Sequence, residues 1–437
     1  MGLGITIGQT ILPVPYLQMS LPAEFASRWT PDFRLFESAS GAYLSDLDYA
    51  ALKPAIAKSY YVRSDGSDAA AGTAGAPLLS LSAALAKSDV DEVVIDCSGG
   101  DYIMRGSRGW NNTQASRSLS VRVIGPGKAI PVASGSTAAP AWTLHAGDIY
   151  KTVIAATEAS SVIDLANQEG DGFYQRLAEV GSIGAVVAGS YYYDGGTTTL
   201  YVQAHDSRSL IGDERMTPCS TSNNGRITSA SRTTFIEGVE FVGGAPLIYV
   251  ATGAVDPLVV AIDCSFQGSR SNNQSNVQIE GPGRFYFRRC GSARAHRDAF
   301  NYHGNANGDP RIFEDECRID LTGQAGPSDN ASTAHESTAI IRLNGHYRGA
   351  LNRTIIDIND TRSLMLGCLI GQARTVAAGN ECLAVSDTNM SWMAGVSFEA
   401  GSNPQLSIIG TASVAWRDMP APERAGTGED VGTLTTW

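Results

Sequence analysis

Four of the chain's six histidines, His296, His303, His335 and His346, fall within a short span that also carries Asp298, Glu314, Asp315, Glu316 and Glu336. Imidazole changes charge near neutral pH, and a neighbouring carboxyl group can act as the complementary acid or base. The same mixture of groups grips ligands rich in hydroxyls. Hydrolysis of a glycosidic bond asks for two carboxyl groups about 5 to 9.5 Å apart. Elimination from a uronate asks instead for a base and a cation that neutralises the sugar carboxylate. On these grounds the expected catalytic set is Asp298 paired with Asp315 or Glu316, with His303, His335 and Glu336 alongside to tune or relay a proton. Arg289, Arg294 and Arg297 are the cations available to a uronate, and Tyr302 is an aromatic surface for a sugar ring. Carboxylates solvated on a surface are the competing reading, since most exposed acids do no chemistry.

The elements beneath these residues decide between the two readings. If Asp298 to Tyr302 is a strand, Asp298, Phe300 and Tyr302 share one face and Ala299 and Asn301 the other. An outward Asp298 between two aromatics suits a sugar-binding groove, because rings stack on pyranose faces. With the opposite parity, Phe300 and Tyr302 are core and Asp298 ends a turn. The residues alone leave both open. The second segment, Ser332-Thr-Ala-His335-Glu336, reads as a polar insertion able to fold over the neighbouring strand and approach His303. His296 reads as a turn residue.

Glycine is abundant, at 47 of 437 residues, and only 17% of residues are charged. With many Ser, Thr and Asn, that composition favours short strands and tight turns, so the fold class is all-β. An apolar–polar–apolar phrase recurs around Val239, Cys264, Cys290 and Cys317. The anchors lie 25, 26 and 27 residues apart, the mark of a solenoid in which each turn sends one small residue inward. Phe287 and Cys290 are three apart, so a bend falls between them. Adjacent turns of a β-solenoid lie ~4.8 Å apart, which brings carboxylates on neighbouring turns within catalytic range.

The net charge of −12 argues against a nucleic-acid partner. Seven dispersed cysteines lack zinc spacing and read as apolar fillers, no calcium or phosphate loop appears, and neither metal nor cofactor is expected. The N-terminus lacks the positive region of a secretory signal, and no membrane insertion is expected.

Residues 1–57 are irregular and read as an attachment arm that docks on another protein. In 58–134, Ser-Tyr-Tyr-Val-Arg-Ser-Asp-Gly-Ser-Asp (59–68) and Gly72-Thr-Ala-Gly-Ala-Pro77 precede a short helix over 78–87, capped by Ser80 or Ser82. Residues 135–215 break the period and read as an inserted antiparallel module, with Asp194-Gly195-Gly196 as a hairpin turn. The main solenoid is 216–415, and 416–437, with Pro420, Pro422, Gly426 and Gly428, reads as a loop-like tail.

The 59–87 passage resembles the entry segment of the right-handed parallel β-helix proteins, the pectate-lyase-like superfamily. There a strand and loop precede a helix that caps the solenoid. The module with Tyr191-Tyr-Tyr-Asp-Gly and Leu200-Tyr-Val is similar to insertions in β-helix glycan-active proteins. Asp298-Ala-Phe-Asn-Tyr-His303 and Ser332-Thr-Ala-His-Glu336 resemble phrases of phage and prophage spikes. The resemblance implies a right-handed parallel β-helix and a homotrimeric receptor-binding spike of a phage or phage-like particle. Such a spike is made in the host cytoplasm, engages a bacterial surface polysaccharide such as capsule or O-antigen, and in some cases depolymerises it. Two alternatives stand beside it: a free bacterial polysaccharide lyase or glycoside hydrolase, and a non-catalytic adhesion spike.

Overall fold

The computed structural model describes residues 6–7, 10–11, 16–110, 117–159, 161–170, 172–220, 226–228, 232–244, 248–251, 256–269, 275–320, 329–371, 373, 381–399, 405–422 and 432–436. Short apolar-rich strands each pair in parallel with the strand one turn later. Leu258–Ile262 pairs with Gly283–Arg288, which pairs with Pro310–Asp315. Three stacks result. Sheet I has twelve strands from Ser59–Val62 to Thr433–Thr436; sheet II has nine, from Tyr102–Arg105 to Ser397–Phe398; sheet III has eight, from Arg226–Thr228 to Leu406–Ile408. From residue 233 onwards each turn visits I, II and III in that order, a parallel β-solenoid of about ten turns.

The bend from sheet I to sheet II explains the sequence period. Gly238, Asp263, Arg289, Glu316, Asn344, Gly367, Gly395 and Asp418 occupy it in successive turns, all with left-handed backbone. The next residue turns inward, and Val239, Cys264, Cys290, Cys317, Cys368 and Val396 form a buried ladder. The thiols of Cys290, Cys317 and Cys368 each lie 3.3 Å from a carbonyl of the preceding turn. The bend expected between Phe287 and Cys290 is Arg289, at φ 48°.

An ionic cluster lies inside the solenoid around Glu314 and Arg342, both fully buried. Glu314 accepts hydrogen bonds from Tyr302 Oη (2.7 Å), Tyr347 Oη (2.5 Å) and Ser332 Oγ (3.1 Å). Arg342 forks onto Asp357 at 2.8 and 2.9 Å and lies 3.8 Å from Glu314. A cation between two buried carboxylates, with hydroxyls filling the remaining positions, satisfies charges that would otherwise be prohibitive inside a solenoid.

The helix Leu81–Leu85 covers the first turn with Leu81, Ala84 and Leu85, and its N-cap Ser80 accepts from Ala83 N. The inserted module holds a five-stranded sheet, mostly antiparallel, built on the Ser190–Asp194/Thr199–Gln203 hairpin. A three-stranded antiparallel sheet joins it, with Tyr174–Arg176, Ser161–Gln168 and Met216–Cys219 as its strands.

Much of residues 16–56 packs back on the chain's own solenoid. Tyr16–Gln18, Leu35–Ser38 and Tyr43–Ser45 form a small antiparallel sheet. Phe25, Trp29, Phe33 and Tyr49 are buried on the outer face of sheet I against Phe235, Tyr286, Phe313 and Trp392. These four rings are thus taken up by this chain's own sheet, whose outer face is apolar and needs a cover. Glycine at bends 367 and 395 makes room for it, since a Cβ there would lie 3.0 and 2.6 Å from the Tyr43 ring. The tail differs from expectation as well: Thr433–Thr436 pairs with Ser413–Arg417 as the last strand of sheet I. Pro420 and Pro422 precede it, whereas Gly426 and Gly428 lie outside the described residues.

Candidate functional site

Phe300–His303 and Ser332–Ala334 are neighbouring strands of sheet III, with Asn301 opposite Thr333 and Tyr302 opposite Ala334. Ser332-Thr-Ala is therefore a strand of the solenoid and not an insertion folded over it. Phe300 and Tyr302 point into the core, so Asn301 and His303 point outward. Thr333 and His335 continue the outward rows on the next turn, and Ile356 and Ile358 on the one after. Where sheet II bends into sheet III, Arg297, Asp298, Asn330, Asn352 and Arg353 complete the wall of a cavity of about 300 Å³.

Asp298 is 3% exposed and accepts from the Asn330 backbone N–H (2.8 Å) and side-chain amide (3.0 Å). Burial pushes its carboxyl up to about 7, against the pull of the Asn330 donors and Arg297. Near neutral pH it therefore exists as both acid and carboxylate, the condition for a general acid. Arg297 makes no ion pair or hydrogen bond among the described residues, although Asp298 and His335 both feel its charge. Asn301 Oδ1 and Thr333 Oγ1 are buried without a hydrogen-bonding partner among the described residues.

The His303 and His335 rings stack, with centroids 4.0 Å apart and planes 17° from parallel. His303 Nδ1 lies 3.3 Å from Glu336 Oε2, which also accepts from Gly304 N at 3.0 Å. Burial, and then the charges of His303 and Arg297, push His335 down to about 3, so it is a neutral imidazole at physiological pH. Ligand-capable atoms of His303, His335 and Glu336 lie within 4.8 Å of one another. An ion cannot lie in the planes of two stacked rings at once, so metal binding there would require one ring to rotate.

The structure thus gathers Arg297, Asp298, His303, His335 and Glu336. It does not bring Asp315 or Glu316 to them. Both belong to the bend between sheets I and II, separated from Asp298 by the width of sheet II, roughly 10 Å for a three-residue strand. Asp315 is bonded to Tyr49 Oη at 2.9 Å under the N-terminal segment, where burial raises it to about 6. Glu316 is an exposed bend residue. Tyr302 offers no surface to a ligand: its ring is core and its hydroxyl is held by Glu314. Arg289 pairs with Asp263 through two 2.7 Å contacts, and Arg294, 4% exposed, pairs with Glu169 of the module at 2.9 Å. His346 sits on sheet II beside Glu399 at 3.3 Å.

Sequence reasoning missed Asn301, Asn330, Thr333, Asn352, Arg353, Ile356 and Ile358 as wall residues. The signal for the first was available: once Phe300 and Tyr302 are assigned to the core, Asn301 must face out.

A scan against protein-family models finds no match, and a search of curated proteins likewise finds none. Among solved structures the chain is similar to XylC in complex with xylose, at 11% identity, with 82% of this chain and 68% of that chain covered and a TM-score of 0.45. It is similar to a structure described as a glycoside hydrolase at 10% identity, covering 87% of this chain and 97% of that one, with a TM-score of 0.47. A lacto-N-biosidase of family GH136 from Eubacterium ramulus matches at 10% identity over 86% of this chain and 67% of that one, with a TM-score of 0.24. Likeness at this level transfers no activity or residue role.

Proposed function

We propose that the protein binds an acidic bacterial surface polysaccharide in the cavity on sheet III and cleaves it there by elimination. One observation carries the reading. Among the described residues, a single concave site holds a guanidinium without an ion pair, a carboxyl group poised near neutrality, an imidazole backed by Glu336, and buried amide and hydroxyl oxygens without a hydrogen-bonding partner. Unsatisfied polar atoms in a concave site suit a ligand that brings its own hydroxyls, and Ile356 and Ile358 suit the apolar face of a sugar ring.

In the reaction, Arg297 neutralises the uronate carboxylate and acidifies the proton at C5. His303, whose Nδ1 lies 3.3 Å from the Glu336 carboxylate, takes that proton on its other ring nitrogen, and the carboxylate steadies the imidazolium. The C5–H electron pair forms the C4–C5 double bond as the C4–O bond breaks, and protonated Asp298 delivers its proton to the departing glycosidic oxygen. Hydrolysis is the less suited chemistry, because the second carboxylate gathered there, Glu336, is turned to His303 and the Gly304 N–H and does not line the cavity. The particle role, a phage or phage-like receptor-binding spike acting as a homotrimer, rests on the resemblance of the 298–303 and 332–336 phrases to such spikes.

The test is incubation of purified protein with capsular and O-antigen polysaccharides, followed by ultraviolet absorbance of unsaturated uronates and by reducing-end analysis. Unsaturated products that disappear in Asp298→Asn and His303→Gln support the proposal. Reducing ends without unsaturation point to hydrolysis. Products undiminished in both variants exclude this cavity as the site.

A further inference from the structure

A second cavity, of about 490 Å³, lies where the inserted module meets the first turns of the solenoid, far along the chain from the sheet III site. Its wall holds two cations, Arg105 and Lys151, several hydroxyls and no carboxylate among the described residues. In a chain of net charge −12, two cations gathered without an acid require an explanation.

Arg105 ends the strand Tyr102–Arg105 of sheet II and is 3% exposed. Its Nη2 donates to the Glu214 main-chain carbonyl and to Thr217 Oγ1, the latter at 2.6 Å. These are neutral acceptors. Arg105 forms no ion pair with a described carboxylate, and its Nε has no acceptor at all among the described residues. Burial makes the guanidinium easier to deprotonate than usual, against the pull of Glu214, Cys219 and Asp213. Buried Arg342 is met by Asp357 and Glu314, and buried Arg294 by Glu169. A buried charge left uncompensated costs several kcal/mol, and an arginine fork is shaped for a planar or tetrahedral oxyanion. Lys151, partly exposed on the strand Ile149–Val153, adds a second positive charge on the module side of the cavity and likewise has no ion pair among the described residues.

We propose that the cavity between module and solenoid is an oxyanion-binding site, in which Arg105 and Lys151 hold a carboxylate, sulfate or phosphate group of a ligand lodged between the two parts. The chemistry is common to a free inorganic anion and to a charged substituent on a sugar. The site stands independently of the reading of the sheet III cavity.

The experiment is thermal unfolding and isothermal titration of the full chain with sodium sulfate, inorganic phosphate, galacturonate and galactose, at ionic strength matched with sodium chloride. At least one of the three anions should raise the melting temperature and titrate as a single site, whereas galactose does neither. A response to galacturonate identifies a sugar carboxylate as ligand; a response confined to sulfate or phosphate identifies the tetrahedral anion. Arg105→Met should abolish the response without destabilising the free protein, because an unpaired buried charge is replaced by an apolar stem. Lys151→Gln, at a partly exposed position outside the core, should weaken binding roughly three- to fivefold, and it decides the matter alone if Arg105→Met fails to fold. Absence of any anion response beyond sodium chloride, or an undiminished response in Lys151→Gln and in a folded Arg105→Met, overturns the proposal.

Discussion

Arg342→Met is expected to destabilise the solenoid by about 3 to 5 kcal/mol, the usual cost of removing one member of a buried ion pair. The arginine makes five hydrogen bonds of 2.8 to 3.2 Å to Ser332, Asp357 and Ser363, and it is fully buried. Methionine keeps the aliphatic packing, so the loss comes from the charge. Asp357 loses the side-chain donors that hold it, while Glu314 retains Tyr302, Tyr347 and Ser332 but loses the neighbouring cation. Adding Asp357→Leu should recover about 2 kcal/mol or more, since the pair is then replaced by apolar groups and no charge is stranded. Guanidinium midpoints and unfolding rates, followed by circular dichroism, provide the measurement, rates being included because long repeat arrays depart from two-state behaviour. An Arg342→Met variant within about 1 kcal/mol of wild type would refute the reasoning.

Three further outcomes follow from the geometry. Tyr49→Phe removes the bond that ties the N-terminal segment to Asp315 and should cost about 1 to 1.5 kcal/mol; an unchanged unfolding midpoint means the segment is not held there in solution. In nuclear magnetic resonance titrations His335 should stay neutral until the pH approaches about 3, and ionisation near the ordinary histidine value contradicts its burial against His303. Because burial raises Asp298 to about 7 in the fold, its contribution to stability is present below its unfolded pKa of about 4 and lost as pH rises to about 7. Asp298→Asn should remove that part of the pH dependence of the melting temperature, and a profile identical to wild type would show that the carboxyl is not desolvated.

Much of the scaffold was legible because a solenoid repeats. Val239, Cys264, Cys290 and Cys317 mark one inward position per turn, and a regular spacing of small residues survives even where the strands between them are irregular. The site was harder to read for the same reason. In a strand of period two, an error of one residue exchanges core and surface, and Asp298-Ala-Phe-Asn-Tyr-His303 has aromatic residues at one parity and an amide at the other. The aromatics suggested a sugar platform, yet burying two rings outweighs exposing them, so Phe300 and Tyr302 went inside and Asn301 and His303 were left facing out. Asp315 misled differently. Its neighbours in sequence give no hint that Tyr49, 266 residues away, closes over it. The pairing of His303 with His335 depended on which strands are adjacent in sheet III, which the two short phrases indicated and the spacing alone did not.

The most direct test is a crystal structure of the protein with a bound oligosaccharide cut from an acidic capsule. The account predicts electron density for a uronate on the outer face of sheet III, its carboxylate at Arg297 and its glycosidic oxygen within hydrogen-bonding distance of Asp298. An oligosaccharide bound elsewhere, with the His303–His335 face empty at saturating ligand, would contradict it.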